Sequence, residues 1–157
     1  LAEIKATNGE KAAESMQTLF YVARACDQIM NAIRATISAH GLSPAQFRLL
    51  MALTYQFPNG VPTIEAANQL GVRPPTLSQL LDSSSELVRR QRRAPDRRII
   101  WLTITEQGSA ALSKVLPSIG ALARTLATDV GAQREELISL LNVAASAVAP
   151  QPTETAT

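Results

Sequence analysis

Cysteine and histidine occur once each in this chain of 157 residues, and their scarcity excludes several kinds of site. A single cysteine cannot form an internal disulfide, and one cysteine with one histidine cannot build a standard zinc site. The acidic residues are dispersed, and the sequence has no phosphate-binding loop, dinucleotide-binding motif or nucleophile elbow. We therefore predict no metal, no cofactor and no catalytic residues, and we expect that the protein is not an enzyme.

Long apolar runs are also missing from the sequence. No run approaches the roughly 18 residues that a membrane-spanning helix needs, and the first residues lack the charged-then-apolar order of a signal peptide. We therefore expect a cytoplasmic protein without membrane contact. Hydrophobic residues make up 46% of the chain, which favours one folded domain over residues 1–157. We expect the polar tail, residues 149–157, to be disordered.

Positive charge is low overall but concentrated in one segment. The whole chain carries a net charge of only +2. Six arginines and one aspartate fall between Arg89 and Arg98, which gives this segment a charge of +5 and leaves −3 on the rest of the chain. Such an asymmetry indicates a local surface that binds anions.

A long amphipathic helix is predicted at each end of the chain. In residues 10–40, apolar side chains recur at steps of three and four, and residues 118–148 carry a second apolar stripe after Gly131. The part between them is too small to cover both stripes, and exposed stripes of this size are rare in monomers. We therefore expect both helices to form the interface of a homodimer. The first stripe comprises Met16, Leu19, Ala23, Cys26, Met30, Ile33 and Ile37.

A helix-turn-helix is predicted in the middle of the chain. Ser43 is placed to cap the helix that leads into it. Thr63 is expected to cap the first helix of the motif, and Gly71 ends that helix. Pro74 then begins the second helix, as proline commonly does in a first helical turn.

A β-wing follows the helix-turn-helix. Leu87–Val88 and Ile99–Ile104 predict two strands, and the residues between them contain turn formers. Thr105 is expected to cap the next helix, and Pro117 within that helix is expected to kink or break it. The fold class is therefore mainly α with a small β-wing, a winged helix-turn-helix over residues 42–116 between N- and C-terminal dimerisation helices.

The second helix of the helix-turn-helix supplies the first set of candidate DNA-binding residues. Such a helix enters the major groove with its N-terminal side chains towards the base edges. Leu77, Leu80 and Leu81 must face the core, so the other side chains face the groove. Among these, Gln79 can pair bidentately with adenine. The predicted DNA-binding residues on this helix are Arg73, Pro75, Thr76, Ser78 and Gln79.

The arginine-rich hairpin supplies the second set. A guanidinium on a thin loop can enter a narrow minor groove, where negative potential is concentrated. Asp96 is expected to hold a neighbouring arginine in one pose through a charge-assisted hydrogen bond. A charge run by itself indicates only a solvated surface, but its position after a helix-turn-helix favours duplex DNA as the partner. The predicted wing residues are Arg92, Arg93, Asp96, Arg97 and Arg98.

Together these segments resemble the MarR (multiple antibiotic resistance regulator) family of winged-helix transcription factors. LSPAQFRLLMAL (Leu42–Leu53) resembles the second helix of the family, and Val61–Asp82 resembles its helix-turn-helix. LVRRQRRAPDRR (Leu87–Arg98) and LTITEQG (Leu102–Gly108) resemble its wing and the start of its fifth helix. The resemblance implies a homodimer joined through its first and last helices, with Arg98 in the minor groove.

Two departures from the family pattern affect the predicted interface. The chain is shorter than expected between Thr76 and Asp96, and the shortfall falls at Ser83–Glu86. We therefore expect an irregular end to the recognition helix. Arg73 stands where a capping serine is common, so we expect a weaker cap and an added contact with a phosphate or a base.

The resemblance also implies a ligand pocket between the dimer helices and the winged domain. Aromatic side chains beside a cation would suit a small aromatic or phenolic effector. The candidate ligand-binding residues are Tyr21, Arg24, Arg48 and Tyr55, with ordinary packing as the alternative. Cys26 is either a redox switch or a structural residue of the apolar stripe. The second interpretation is favoured, because no lysine or histidine lies within one helical turn to activate the thiol.

The sequence thus favours a homodimeric, sequence-specific transcriptional regulator, a ligand-responsive repressor of a near-palindromic duplex operator. The alternative is a winged-helix protein-interaction module that no longer reads DNA. The short Ser83–Glu86 segment and the near-neutral net charge would suit that alternative. A salt titration of duplex binding separates the two, because only the regulator should lose affinity steeply as salt rises.

Overall fold

The structure is a computed structural model that describes residues 9–93 and 98–148. Asp96, Arg97 and the tail predicted to be disordered, residues 149–157, lie outside the described residues. The chain forms two compact units, of which the first ends at Ile119 and the second begins at Gly120. In chain order the elements are α1 (Glu10–Ser38), α2 (Pro44–Met51), a π-helical segment (Ala52–Gln56), β1 (Val61–Pro62), α3 (Thr63–Leu70), α4 (Pro74–Asp82), β2 (Val88–Arg92), β3 (Ile100–Ile104), α5 (Glu106–Val130), a 3₁₀ segment (Gly131–Gln133) and α6 (Arg134–Val148).

The hydrophobic core of the first unit lies beneath the helix-turn-helix and the sheet. Leu50 of α2, Leu77 of α4 and Leu102 of β3 have no exposed surface. Ile37 of α1 and Val115 of α5 belong to the same buried cluster. Because full burial of such a side chain stabilises the fold by about 1.5–3 kcal/mol, this cluster holds α3, α4 and the sheet in fixed positions. The predicted fold class, mainly α with a small β-wing, is confirmed.

The three strands form an antiparallel sheet in the order β1-β3-β2. Val61 of β1 pairs with Leu102, and Arg90 of β2 pairs with the same residue from the other side. Neighbouring residues of a strand face opposite sides of a sheet. Leu102 therefore faces the core, whereas Trp101, which pairs with Gln91, faces outwards.

Two of the three predicted N-caps are confirmed. The Ser43 hydroxyl accepts a hydrogen bond from the Gln46 amide at 3.1 Å, and the Gln46 side chain completes a capping box. The Thr105 hydroxyl accepts from the Gly108 amide at 3.0 Å. The prediction for Thr63 was wrong, because its hydroxyl donates instead to the Ile100 carbonyl at 2.9 Å and no side chain caps α3. Thr63 thus ties the start of the helix-turn-helix to the wing strand β3.

Pro117 does not break α5, which continues without interruption past it to Val130. A proline inside a helix removes one backbone hydrogen bond and crowds the preceding turn. On α5, however, Val115 is buried, and Leu116 and Ile119 pack against the core on either side of the proline. This burial holds the helical path and offsets the lost hydrogen bond.

Apolar side chains remain exposed in both units. None of the side chains of residues 120–148 in the second unit is buried. None of the helices in the described ranges combines the length and the apolar character that a bilayer crossing needs. On α1 of the first unit the exposed large side chains are Leu19, Phe20, Tyr21, Ile29 and Met30, and in the second unit they are Leu126, Leu137, Ile138, Leu140, Leu141, Val143 and Val148.

Candidate nucleic-acid interface

The turn between α3 and α4 sets the direction of the recognition helix. Gly71 ends α3 in the left-handed conformation, with a φ of 65° that glycine adopts at little cost. Arg73 then takes an extended conformation as the N-cap of α4, and no side chain caps that helix, as the sequence predicted. Pro74 and Pro75 have no amide hydrogen, and the Leu77 amide donates to the Arg73 carbonyl at 3.1 Å, so the first turn of α4 offers at most the Thr76 amide to an anion such as a DNA phosphate.

The outer face of α4 contains every residue that the sequence assigned to the major groove. Leu77 and Leu81 are buried and Leu80 is half-buried, which fixes the rotation of the helix against the core. The other side chains of the first two turns point away from the core and are exposed. The exposed side chains are the N-cap Arg73 and, on the helix, Pro74, Pro75, Thr76, Ser78 and Gln79.

Helix α2 supports the C-terminal ends of both helices of the helix-turn-helix. The Arg48 guanidinium donates to the Leu70 carbonyl at the end of α3, at 2.8 Å. The Gln46 side-chain amide donates to the Ser83 carbonyl at the end of α4, at 3.0 Å. Sequence reasoning missed Gln46, because its partner is 37 residues away along the chain. Its position three residues after the cap Ser43 was the only available signal.

The short segment after α4 forms a compact, hydrogen-bonded turn. Ser84 is only 2% exposed, and its hydroxyl donates to the Leu80 carbonyl at 2.6 Å. Its own carbonyl accepts from the amides of Leu87 and Val88, each at 2.9 Å. The early end of the recognition helix at Asp82 agrees with the sequence, and the buried serine explains how the chain enters β2 in so few residues.

Exposed arginines follow β2 towards the tip of the wing. Arg89, Arg90 and Arg92 are exposed along the strand, and Arg98 is exposed just before β3. Arg90 forms an ion pair with Asp82 at 2.5 Å, which connects β2 to the end of α4. Both side chains are in contact with solvent, so the pair adds little to stability. Two predicted residues of the wing tip, Asp96 and Arg97, fall in the segment that is not described.

Arg93 makes several contacts with protein groups at the base of the wing. It is half-buried, and its guanidinium lies over the ring of Trp101, 4.8 Å from the ring centroid. Its Nη1 donates to the Asn59 carbonyl at 2.7 Å. When the Gln91 carboxamide is oriented with its oxygen towards Arg93, that oxygen accepts from Nε at 3.0 Å and from Nη2 at 2.7 Å. The sequence predicted a DNA contact for this arginine, but these contacts direct its guanidinium into the base of the wing.

The structure brings together two of the four predicted ligand-binding residues. Arg48 and Tyr55 line one cleft beside α2, together with residues of the π-helical segment and α3. Tyr21 and Arg24 lie on α1 and are not among the residues that line this cleft. Cys26, which was expected to be buried in the apolar stripe, is exposed in the single chain. Within the described part of the chain, no group of histidine, cysteine and acidic residues is placed to hold a metal ion.

Solved structures match most of this chain, although no family model and no curated protein matches the sequence. AbsC, a MarR-family transcriptional regulator from Streptomyces coelicolor, superimposes with a TM-score of 0.71 at 21% identity, over 89% of this chain and 93% of AbsC. The fold is that of the MarR family. The arrangement of helix-turn-helix and wing described above is thus the MarR arrangement.

Two further solved structures of similar fold contain bound molecules. The transcriptional repressor CouR, bound to a 23-mer DNA duplex, has a TM-score of 0.70 at 26% identity, over 87% of this chain and 97% of CouR. NadR in complex with 4-hydroxyphenylacetate has a TM-score of 0.64 at 19% identity, over 84% of this chain and 92% of NadR. The DNA duplex is thus a ligand of CouR, and 4-hydroxyphenylacetate is a ligand of NadR.

Proposed function

We propose that this protein is a homodimeric, sequence-specific DNA-binding transcriptional repressor whose DNA affinity responds to a small ligand. The observation that carries the proposal is the outer face of α4. Its first two turns expose a polar and basic set of side chains while the leucines of the same helix are buried. That arrangement has no role in the core, and it matches the needs of a helix that lies in the major groove. The proposal includes a cytoplasmic location and no enzymatic activity.

In the proposed complex the two DNA-reading elements have different tasks. Gln79 contacts a base edge in the major groove, with adenine as the geometric match. Arg92 and Arg98 contact phosphates or the minor groove, which adds affinity for any sequence. The repressor CouR, which shares the fold, is bound to a DNA duplex, and this supports DNA as the partner. Asp96 and Arg97 remain sequence-based candidates for the same contacts.

Homodimer formation would cover the exposed apolar side chains. Phe20 and Met30 on α1 and Leu140 and Val143 on α6 are large and exposed in the single chain. Exposed apolar surface of this extent marks an interface. A twofold dimer then requires a near-palindromic operator with half-sites about one helical turn apart. Sedimentation at micromolar concentration should give twice the chain mass, and a monomer would contradict the dimer proposal.

The small ligand of the proposal is an aromatic or phenolic acid. NadR, which shares the fold, was solved with such a molecule, 4-hydroxyphenylacetate. In this chain Arg48 supplies a cation and Tyr55 an aromatic ring to one cleft. A cation beside an aromatic face suits a planar organic anion.

A salt titration of duplex binding tests the proposed function. The regulator should bind duplex DNA with an affinity that falls steeply as salt rises, because phosphate contacts release counterions. Binding of an unrelated short duplex gives the non-specific baseline. Weak, salt-insensitive binding to every duplex of a diverse pool would contradict the proposal and favour a protein-interaction module.

A further inference from the structure

One ridge of α4 lies directly opposite the core. Leu77 and Leu81 are buried and define the inner face of the helix. Because successive residues of a helix are rotated by about 100°, Pro75 and Gln79 each lie about 160° around the axis from Leu77. Pro75 and Gln79 are one turn apart, and both are exposed. These two side chains, the Pro75–Gln79 ridge, are therefore the part of α4 that lies farthest from the core.

The neighbours of the ridge lie on its flanks. Thr76 is rotated by only about 40° from the half-buried Leu80, and Ser78 by about 60° from the buried Leu81. A groove that admits the helix would therefore contact these short side chains with its walls. A recognition helix in the major groove turns its outermost side chains towards the base edges. In α4 those side chains belong to the Pro75–Gln79 ridge.

The first turn of α4 has little capacity to bind a phosphate. Pro74 and Pro75 have no amide hydrogen, and the Leu77 amide donates to the Arg73 carbonyl at 3.1 Å. At most the Thr76 amide remains for an anion, whereas helix N-termini that bind phosphates use several free amides. The ridge begins instead with the pyrrolidine ring of Pro75, which has no hydrogen-bond donor. An apolar partner suits this ring better than an anion does.

The apolar group that the major groove presents is the C5-methyl group of thymine. The other groups on the base edges there are hydrogen-bond donors and acceptors. A proline ring placed over the amino group of cytosine or the carbonyl group of guanine would displace water without replacing its hydrogen bonds, which costs binding free energy. A proline ring over a thymine methyl buries two apolar surfaces and has no such cost.

We propose that Pro75 is a specificity-determining residue that recognises the C5-methyl group of a thymine, close to the adenine that Gln79 contacts. This inference rests on the proposed DNA-binding function and adds the chemical group that the start of α4 recognises. Four residues of a helix span about 6 Å, and successive base pairs are about 3.4 Å apart. The thymine and the adenine should therefore lie within about two base pairs of each other in each half-site.

Asp82 lies on the same side of α4, about two turns after Pro75. A free carboxylate there would repel phosphates or accept a hydrogen bond from a cytosine amino group. The Asp82 carboxylate instead accepts from Arg90 of β2 at 2.5 Å. This ion pair directs the carboxylate towards the wing, so base recognition on this side of the helix is left to Pro75 and Gln79.

Base analogues test the two contacts separately, on the duplex that the wild-type chain enriches from a random pool. Deoxyuridine is thymidine without the C5-methyl group, and it replaces thymidine at one symmetric pair of positions at a time. At one such pair the wild type should lose about tenfold or more in affinity, because one buried methyl group contributes about fourfold in each half-site. The analogue 7-deazaadenine lacks the N7 acceptor and locates the adenine that Gln79 contacts.

Two proline variants localise the methyl contact. Pro75→Ala removes most of the ring, and its ratio of thymine to deoxyuridine affinity should fall to about threefold or less at the sensitive position. Pro74→Ala is the matched control, because it makes the same change about 100° around the helix, and it should keep the wild-type ratio. The amide hydrogen that each variant gains acts on both duplexes alike and cancels in the ratio. Thr76→Ser, which removes a neighbouring exposed methyl group, should also keep the wild-type ratio.

An unchanged ratio in Pro75→Ala would overturn the proposal, and so would a fall of the ratio in Pro74→Ala or Thr76→Ser instead. An enriched duplex in which no deoxyuridine weakens binding would overturn it as well. The same holds for a sensitive thymine that lies far from the adenine located with 7-deazaadenine. A wild-type chain that enriches and binds no duplex would instead contradict the proposed function, on which the inference rests.

Discussion

The guanidinium of Arg93 lies over the indole ring of Trp101, with 4.8 Å between its central carbon and the ring centroid. The same guanidinium donates to the carbonyl of Asn59, in the turn before β1. Arg93 therefore connects all the strands of the described sheet. It directly follows β2, its guanidinium lies over Trp101 of β3, and it donates to the carbonyl of Asn59, shortly before β1. Its neighbour Arg92 is exposed and pairs in register with Ile100.

Arg93 and Arg92 should consequently have separable effects. Arg93→Ala should lower the free energy of unfolding by about 1–3 kcal/mol, because it removes a cation–π contact and hydrogen bonds from a charged donor. Arg92→Ala should change that free energy by no more than about 0.5 kcal/mol, because its side chain is exposed. Urea unfolding monitored by circular dichroism gives both values. Equal destabilisation by the two variants would show that the contacts of Arg93 do not stabilise the wing.

Two glycines of α5 should respond to alanine with opposite signs. A Cβ at Gly108 would collide with the Leu87 carbonyl oxygen and lie 2.9 Å from Cγ1 of Ile104. Gly108→Ala should therefore lower the free energy of unfolding by about 1–3 kcal/mol, because the added methyl group displaces Leu87 at the start of the wing. At Gly120 a Cβ would meet only the flexible end of Arg124, at 3.4 Å. Gly120→Ala should stabilise by up to about 1 kcal/mol, because alanine is the better helix former. Thermal unfolding measures both changes. A Gly108→Ala variant that is as stable as the wild type would contradict this packing.

Gln46 should affect DNA recognition through the position of α4. Gln46→Glu keeps the acceptor that receives the Ser43 amide at 2.9 Å, but it cannot donate to the Ser83 carbonyl. The helix cap should survive, so the free energy of unfolding should change by less than about 1 kcal/mol. The ratio of specific to non-specific duplex affinity should fall several-fold. Gln17→Glu on α1 is the control for the added negative charge. An equal fall of the affinity ratio in that variant would contradict a positioning role for Gln46.

Arg98 should contribute affinity without sequence selectivity. Arg98→Ala should weaken binding to selected and to scrambled duplexes together. The slope of log affinity against log salt should become shallower by about one unit, because one phosphate contact is lost. Fluorescence anisotropy over a range of salt concentrations measures this slope. A loss confined to the selected duplex would instead indicate a base contact by Arg98.

The sequence predicted the elements because their determinants are local. Ser43 and Thr105 cap helices through partners three residues away, and the turn at Gly71 requires the positive φ that glycine accepts. The burial of Leu77 and Leu81 follows from helical periodicity, which also fixed the exposed face of α4.

Long-range partners account for what the sequence did not predict. Thr63 has the residue type and position of a cap, but its hydroxyl donates a hydrogen bond to the Ile100 carbonyl, 37 residues away. The sequence could not separate Arg93 from the other arginines of the wing, since only the fold places Asn59 and Trp101 beside it. The break expected at Pro117 was wrong, because local propensity ignores the burial on either side of that residue.

The most direct test of DNA recognition is selection from a random duplex pool with wild-type protein and with Gln79→Ala. The wild type should enrich a near-palindromic sequence and bind it about 10³-fold or more tightly than a scrambled duplex. Gln79→Ala should lose about 1–3 kcal/mol of binding free energy with the enriched duplex and little with the scrambled one. No enriched sequence, or equal losses of Gln79→Ala on both duplexes, would contradict the assignment of α4 as the recognition helix.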